Sequence, residues 1–131
     1  MEFINVQTSK RTEFIDITES VRSFIGKNDI KNGLCLLFVP HTTAAVTINE
    51  GADPSVTRDI LKHLAGMVPY QGDYQHSEGN SDAHIKSSII GVSEFISVEQ
   101  GRLVLGTWQA IYFCEFDGPR SRRLGISFLS S

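Results

Sequence analysis

The feature that most constrains this fold is the apolar run Leu34–Val39, in which neither the odd nor the even positions are polar. A strand with one solvent face alternates polar and apolar residues, so a run that is apolar at both parities predicts a strand covered on both faces. Pro40 follows the run and has no backbone N–H for another ladder hydrogen bond. His41 is therefore expected at the mouth of a central strand.

Short strand and helix patterns fill the rest of the chain and predict an α+β fold, with about eight strands in a mostly antiparallel or mixed sheet and about three helices. Alternating apolar positions on both sides of Thr8–Arg11 predict an N-terminal hairpin. Helices are expected from Thr18 to Gly26, after the capping pair Asp53-Pro54, and from Ser81 to Gly91. The remaining predicted strands are Ala44–Ile48, Glu94–Val98, Arg102–Leu105, Ala110–Glu115 and Leu124–Leu129.

No linker, repeat or shift of composition divides the 131 residues, so the sequence predicts a single domain over residues 1–131. The formal net charge of −3 argues against a nucleic-acid partner. No stretch approaches the ~18–20 apolar residues of a membrane span, and the start of the chain lacks the apolar block of a signal peptide. Cys35 and Cys114 lie in apolar runs without metal-binding spacing, which favours buried free thiols and a cytoplasmic location.

Histidines are concentrated in one part of the chain, because all four lie between residues 41 and 84. His76 and His84 flank a polar segment, and His41 is a candidate third ligand at the strand mouth. Three neutral imidazoles with one open position suit zinc, which can polarise an oxygen or activate a water molecule. The spacing matches no defined metal motif, so the alternative is that the loop histidines are exposed and have no function.

Carboxylates form the second candidate group. Asn49 and Glu50 end the predicted strand that starts at Ala44, while Glu115 and Asp117 are two positions apart and project to the same side of a strand end. Carboxylates at strand ends suit Mg²⁺, which prefers oxygen ligands and bridges substrate phosphates. Their alternative roles are a general base or an ordinary solvated surface.

Arginines and an aromatic residue supply candidate substrate contacts. Arg120 and Arg122 share the parity of the following apolar strand positions, so they are expected at the rim of the core, where a guanidinium can donate two hydrogen bonds to a phosphate. The alternative is salt bridges to Glu115 and Asp117. Trp108 and Gln109 can receive a planar heterocycle, although core packing is the alternative for Trp108. Asn80, between the two loop histidines, is also assigned to substrate binding.

Three blocks of the sequence, His41–Pro54, His76–Lys86 and Leu105–Arg123, resemble the YjbQ family in order and spacing. The resemblance implies an α+β fold assembled as a homotrimer, with the histidine-rich segments near subunit boundaries. It also implies a secondary thiamine-phosphate synthase activity, a transfer that joins a pyrimidine methyl pyrophosphate to a thiazole phosphate and releases pyrophosphate. In that reaction, acidic groups with a divalent ion, together with Arg120 and Arg122, are expected to neutralise the leaving pyrophosphate.

Two other functions stay open at this point. Imidazoles prefer softer metals than the Mg²⁺ expected with pyrophosphate, so a zinc-dependent hydrolase with His41, His76 and His84 as ligands and Glu50 as base is one alternative. The other alternative is a non-catalytic trimer that binds a phosphorylated metabolite through its arginines. Whether the chain is an enzyme therefore stays open at the level of the sequence.

Overall fold

The chain forms eight β-strands and three α-helices in the computed structural model, which describes all 131 residues. This element count and the antiparallel pairing of every strand confirm the α+β prediction. No helix is long and apolar enough to cross a membrane. The elements are β1 Glu2–Gln7, β2 Glu13–Asp16, α1 Thr18–Lys27, β3 Gly33–Phe38, β4 Ala44–Glu50, α2 Pro54–Met67, α3 Ser81–Ile90, β5 Ser93–Glu99, β6 Arg102–Leu103, β7 Gln109–Glu115 and β8 Ser121–Ser130.

Two antiparallel sheets pack against each other. One has five strands in the order β1-β8-β3-β5-β6, and the other has three in the order β2-β7-β4. The larger core cluster lies between the facing sides of the two sheets and includes Leu37, Phe113 and Ile126, with Val21 and Ile25 of α1. A smaller cluster lies on the other side of the three-stranded sheet, where α2 and α3 cover it. The resulting layers are a five-stranded sheet, a three-stranded sheet and a pair of helices.

Strand β3 corrects the prediction that both of its faces are covered. Cys35 and Leu37 are fully buried in the main core, whereas Leu34 and Phe38 point to the other side and are exposed. Burial raises the pKa of the Cys35 thiol to about 11, and both cysteines are free and buried as predicted. Both faces of β3 do carry apolar side chains, but within one chain nothing covers the outer face of the five-stranded sheet.

The predicted N-terminal hairpin is wrong. Strand β1 pairs with β8 in one sheet, and β2 pairs with β7 in the other. The segment between them crosses from sheet to sheet, and the Thr8 hydroxyl and backbone N–H bond to Glu115 and to the Arg120 carbonyl. Alternation of apolar residues identifies a strand with a buried face, but it does not select the partner strand.

Helix ends follow the predictions only in part. Asp53 accepts the Ser55 N–H and Pro54 opens α2, as expected. Gly26 lies inside α1 and does not end it, and the left-handed residue after this helix is Asp29, with φ of 51°. Ser81 is the first residue of α3, as expected, and the N-cap position is taken by Asn80. The Asn80 side chain makes no capping hydrogen bond, which leaves that side chain for other contacts.

Candidate functional site

An open cleft of about 1180 Å³ lies where three segments meet. The chain that leaves β3 runs beside α3, and both face the turn between β7 and β8. Backbone hydrogen bonds from Val39 to Val92 and from Val46 to Gly91 hold the residues that follow α3 against the chain leaving β3 and against β4. Polar side chains that line the cleft include His41, Thr43, Asn80, His84, Asp117, Arg120 and Arg122.

Arg122 is a buried arginine with one nitrogen left for the cleft. Its Nε donates to Glu115 Oε1 at 2.9 Å, and its Nη2 donates to Glu115 and to the Thr43 hydroxyl, at 2.8 Å for the latter. Glu115 is fully buried and also accepts the Thr8 hydroxyl at 2.7 Å and the Asp117 N–H at 3.1 Å. Nη1 makes no hydrogen bond within the chain, so it remains available to a ligand.

His41 is a neutral hydrogen-bond donor in this cleft. Its Nε2 accepts the backbone N–H of Arg123 at 3.0 Å, and this acceptor role assigns the ring proton to Nδ1. Burial and the positive charge of Arg122 lower the pKa of His41 below its ordinary value. The imidazole is therefore uncharged near neutral pH, and its Nδ1–H makes no hydrogen bond within the chain.

A second ion-pair cluster also lines the cleft. Asp117 Oδ2 accepts Asn80 Nδ2 at 2.9 Å and Arg120 Nη2 at 3.1 Å. Arg120 Nε also donates to the Asp117 carbonyl at 2.8 Å, so this arginine is bent back onto its own turn. The Asn80 Oδ1 atom is buried without a hydrogen-bond partner. The sequence analysis gave salt bridges to Glu115 and Asp117 as the alternative role of Arg120 and Arg122. Both arginines form such a salt bridge.

Next to Asp117, which Arg11 approaches to 3.9 Å, lies a network that the sequence analysis missed. Arg11 forms two 3.0 Å hydrogen bonds with the fully buried Asp82 on α3, and Lys86 Nζ lies 3.3 Å from the same carboxylate. Burial alone would raise the pKa of the Asp82 carboxyl, but hydrogen bonds from Arg11 and Lys86 outweigh it and lower the pKa. The i, i+4 spacing of Asp82 and Lys86 was a detectable signal. No such signal in the sequence identified Arg11, because its partner Asp82 is 71 positions away.

The three candidate metal-binding histidines do not converge on one point. His84 lines the cleft with His41, and the His76 ring stands edge-on to the His84 ring, with centroids 5.2 Å apart. No group of three or more His, Cys, Asp or Glu side chains is arranged to hold a metal ion. The His41 Nε2 is already an acceptor, and the Glu115 oxygens are saturated by Thr8, Arg122 and a backbone N–H. This donor set does not fit zinc or Mg²⁺ as it stands, and both metals stay predictions.

Four predicted site residues lie at the far end of the same strands. In the β4–β7 register Ala44 faces Glu115, whereas Glu50 faces Gln109. The two pairs are six positions apart along the strands, which is about 20 Å at the usual rise per residue. Asn49, Glu50, Trp108 and Gln109 therefore do not reach the cleft within one chain. The alternative that Trp108 packs in the core is wrong, because this residue is 65% exposed and lines a separate groove.

The two antiparallel sheets with their three helices define the chain as an α+β protein with an open polar cleft. The family model described as "UPF0047 protein YjbQ-like" matches residues 2–131. The chain therefore belongs to the YjbQ/UPF0047 family, which confirms the resemblance seen in its three sequence blocks.

Relatives from several organisms support this assignment. The chain is 48% identical over 130 residues to the UPF0047 protein YugU of Bacillus subtilis, and the match covers 98% of both chains. A crystal structure of an uncharacterized conserved protein of the family from Clostridium acetobutylicum has 50% identity and a TM-score of 0.96, over 98% of this chain and 100% of that one. A hypothetical protein from Aeropyrum pernix has 39% identity and a TM-score of 0.94, with both chains fully covered.

Proposed function

We propose that the cleft binds phosphorylated small molecules and that the chain is a transferase that makes thiamine phosphate. In this reaction a thiazole phosphate is joined to a pyrimidine methyl pyrophosphate. The ring nitrogen of the thiazole attacks the methylene carbon, the bond from that carbon to oxygen breaks, and the electron pair leaves with pyrophosphate. The activity comes from the family resemblance, and the arrangement of the arginines and carboxylates supports it.

The observation that carries the proposal is the way Arg122 is held. Its Nε and Nη2 are fixed by Glu115 and Thr43, while Nη1 remains for the cleft. Charge that develops on a leaving pyrophosphate is stabilised best by donors that are already in place and need no reorganisation. His41 Nδ1–H and Arg120 add two further donors to the same cleft.

The proton balance of the reaction also suits the site. Attack by the thiazole nitrogen lone pair forms a positively charged ring and requires no general base. Glu115 and Asp117, which the sequence analysis assigned to catalysis, are both engaged with guanidinium groups. In our proposal they are positioning residues, since they hold Arg122 and Arg120 and do not take protons. The hydrolase alternative needs a base beside a metal-bound water, but Glu50 lies at the far end of β4 and the three histidines form no metal-binding group.

The same observation favours a second candidate function. Because Glu115 and Asp117 are held by arginines, the cleft can bind a phosphorylated metabolite without changing it. A non-catalytic binding protein uses the same donors, Arg122 Nη1 and His41 Nδ1–H, and needs no reactive group. Turnover therefore separates the two candidates, whereas phosphate binding alone does not.

We also propose that the chain assembles as a homotrimer through the outer face of the five-stranded sheet. The number of subunits comes from the family resemblance, and the choice of surface rests on the uncovered apolar side chains of this face. Strand pairing places them in adjacent rows, and exposed patches of a few hundred Å² commonly mark interaction sites. Phe38 belongs to this face and also lines the cleft. The patch consists of Phe3, Leu34, Phe38, Phe95 and Leu129.

The synthase proposal is tested by incubating the protein with the two phosphorylated precursors and measuring thiamine phosphate. Arg120 is exposed, so Arg120→Gln should keep the fold and lower kcat/KM about tenfold, and Arg122→Lys should lower it about 100-fold, because lysine cannot reproduce the bidentate contact. The matched control is Arg58→Gln on α2, which is also exposed and should change nothing.

Three outcomes separate the candidates. Thiamine phosphate formation that falls in the two cleft variants supports the transferase. If the wild-type protein makes no thiamine phosphate but pyrophosphate still raises its melting temperature, the non-catalytic binding protein is favoured. If pyrophosphate changes the melting temperature of neither the wild-type protein nor any cleft variant, the proposal of a phosphate cleft is rejected.

A further inference from the structure

The Asp117 carboxylate lies among hydrogen-bond donors that come from separate segments of the chain. Asn80 precedes α3 and donates to it at 2.9 Å, and Arg120 follows it in the β7–β8 turn and donates at 3.1 Å. Arg11, from the segment before β2, approaches the other carboxylate oxygen to 3.9 Å. Guanidinium groups donate charge-assisted hydrogen bonds to phosphate as well as to carboxylate oxygens, so these donors also suit a phosphate group.

The two partners of this ion pair differ in exposure. The Asp117 side chain is mostly buried, with 16% of its surface exposed, whereas the Arg120 side chain that it holds is 54% exposed. Both residues line the cleft that also contains Arg122. Arg120 is therefore the exposed partner of this pair, and ion pairs with solvent-exposed side chains contribute little to stability. The Arg120 side chain can turn from Asp117 to another anion in the cleft at low cost.

We propose that Arg120 and Asn80 form a second phosphate subsite, and that the Asp117 carboxylate competes with the ligand for it. Arg122 Nη1 and His41 then bind one phosphate group, and Arg120 with Asn80 binds the next. The ligand class is a compound with two linked phosphate groups, a diphosphate. This inference deepens the proposed function and rests on its phosphate cleft, but not on the synthase reaction.

The competition makes Asp117 a specificity-determining residue. A single phosphate gains nothing at the second subsite unless it displaces a carboxylate that already satisfies Arg120 and Asn80. A diphosphate that is held at Arg122 presents its second phosphate at a high effective concentration, so it displaces the carboxylate more readily. The cleft should therefore prefer pyrophosphate to orthophosphate, and removing the charge of Asp117 should reduce this preference.

The experiment uses inorganic pyrophosphate and orthophosphate, each titrated into the full chain by isothermal calorimetry at low ionic strength. We expect the wild-type protein to bind pyrophosphate at least tenfold more tightly than orthophosphate. Asp117→Asn keeps the size and the acceptor oxygen but loses the charge, and it should bind orthophosphate about tenfold more tightly than the wild type. The matched control is Asp73→Asn in the exposed segment between α2 and α3, which should leave both affinities unchanged.

Arg120→Gln supplies a second test that does not depend on the folding of the aspartate variant, because Arg120 is exposed. It should weaken pyrophosphate binding about tenfold and orthophosphate binding little, so that the preference disappears. Unchanged or weaker orthophosphate binding in Asp117→Asn, or an unchanged preference in Arg120→Gln, would overturn the inference. A positive result with no thiamine phosphate formation would leave it standing and reject the synthase alone.

Discussion

Arg120 and Arg122 are two positions apart in the sequence, yet their surroundings differ. Arg122 is buried, and its partner Glu115 is fully buried and accepts four groups, so neither charge can rearrange at low cost. Arg120 is exposed and held by Asp117 at the surface. One arginine therefore acts as a fixed donor and the other as an exchangeable one. His41 completes the fixed set, because Arg123 holds its Nε2.

His41 allows a prediction about pH. Its folded pKa lies below the ordinary value of 6.5, so the unfolded chain binds the proton more readily than the folded protein does. The contribution of His41 to stability is complete above pH 6.5 and is lost as the pH falls through the lower, folded pKa. His41→Gln, which can still accept the Arg123 N–H, should lose less stability than the wild type between about pH 7 and pH 5.

Urea unfolding at several pH values measures this difference. His63→Gln serves as the control, because His63 is exposed on α2 and has no hydrogen-bond partner to lose. If the free energy of unfolding depends on pH in the same way in the wild type and in His41→Gln, the lowered pKa of His41 does not contribute to the pH dependence of stability.

At the scale of elements, the cleft depends on how α3 is attached. Arg11 contacts three parts of the structure at once: it pairs with Asp82 on α3, lies 3.7 Å over the Tyr70 ring, and accepts the Gly118 N–H through its carbonyl oxygen. A Cβ atom added to Gly118 would lie 2.3 Å from the Lys10 carbonyl oxygen, so glycine is needed where the turn passes this segment. The segment before β2 thus ties the cleft walls together.

Removal of the Arg11 charge should destabilise this attachment. Arg11→Gln leaves the fully buried Asp82 with Lys86 as its remaining charged partner, and we expect a loss of about 2 kcal/mol in the free energy of unfolding. Urea denaturation measures the loss, and Lys10→Gln at the exposed neighbouring position is the control. A change no larger than that of the control would mean that Lys86 alone compensates the Asp82 carboxylate.

At the scale of the whole molecule, the two sheets have unequal surroundings. The three-stranded sheet is covered on one side by the other sheet and on the other side by α2 and α3. The five-stranded sheet is covered on one side only, and its outer face carries phenylalanine and leucine side chains. This asymmetry is the basis for the proposed homotrimer.

Phe95→Asp tests that assembly. The Phe95 side chain is 64% exposed in one chain, so aspartate there should change the stability of the subunit by no more than about 0.5 kcal/mol. A buried carboxylate at an interface is costly, so the variant should elute as a monomer while the wild type has the mass of a trimer in light-scattering chromatography. Met67→Asp, at the exposed end of α2, should remain trimeric. A monomeric wild type, or a trimeric Phe95→Asp, contradicts the proposed surface.

Sequence reasoning was most accurate for the elements and for one half of the site. The number of strands and helices, the cap at Asp53 and the buried cysteines follow from local patterns, and His41, Asn80, His84, Asp117, Arg120 and Arg122 do line one cleft. Thr8, Thr43 and Arg11 were missed because their partners are distant along the chain. Asn49, Glu50, Trp108 and Gln109 lie away from this cleft because the register of β4 with β7 separates the strand ends, and their roles stay predictions.

The sequence by itself determined the elements, because helix and strand periodicity and the capping residues act over a few neighbouring positions. It also determined that both faces of β3 are apolar, although it did not determine that the outer face is exposed within one chain. Only the tertiary structure decided which strands pair, which arginine is buried, and that two candidate clusters lie at opposite ends of one strand pair. The physical reason is that pairing and register depend on contacts between distant segments, which no local pattern encodes.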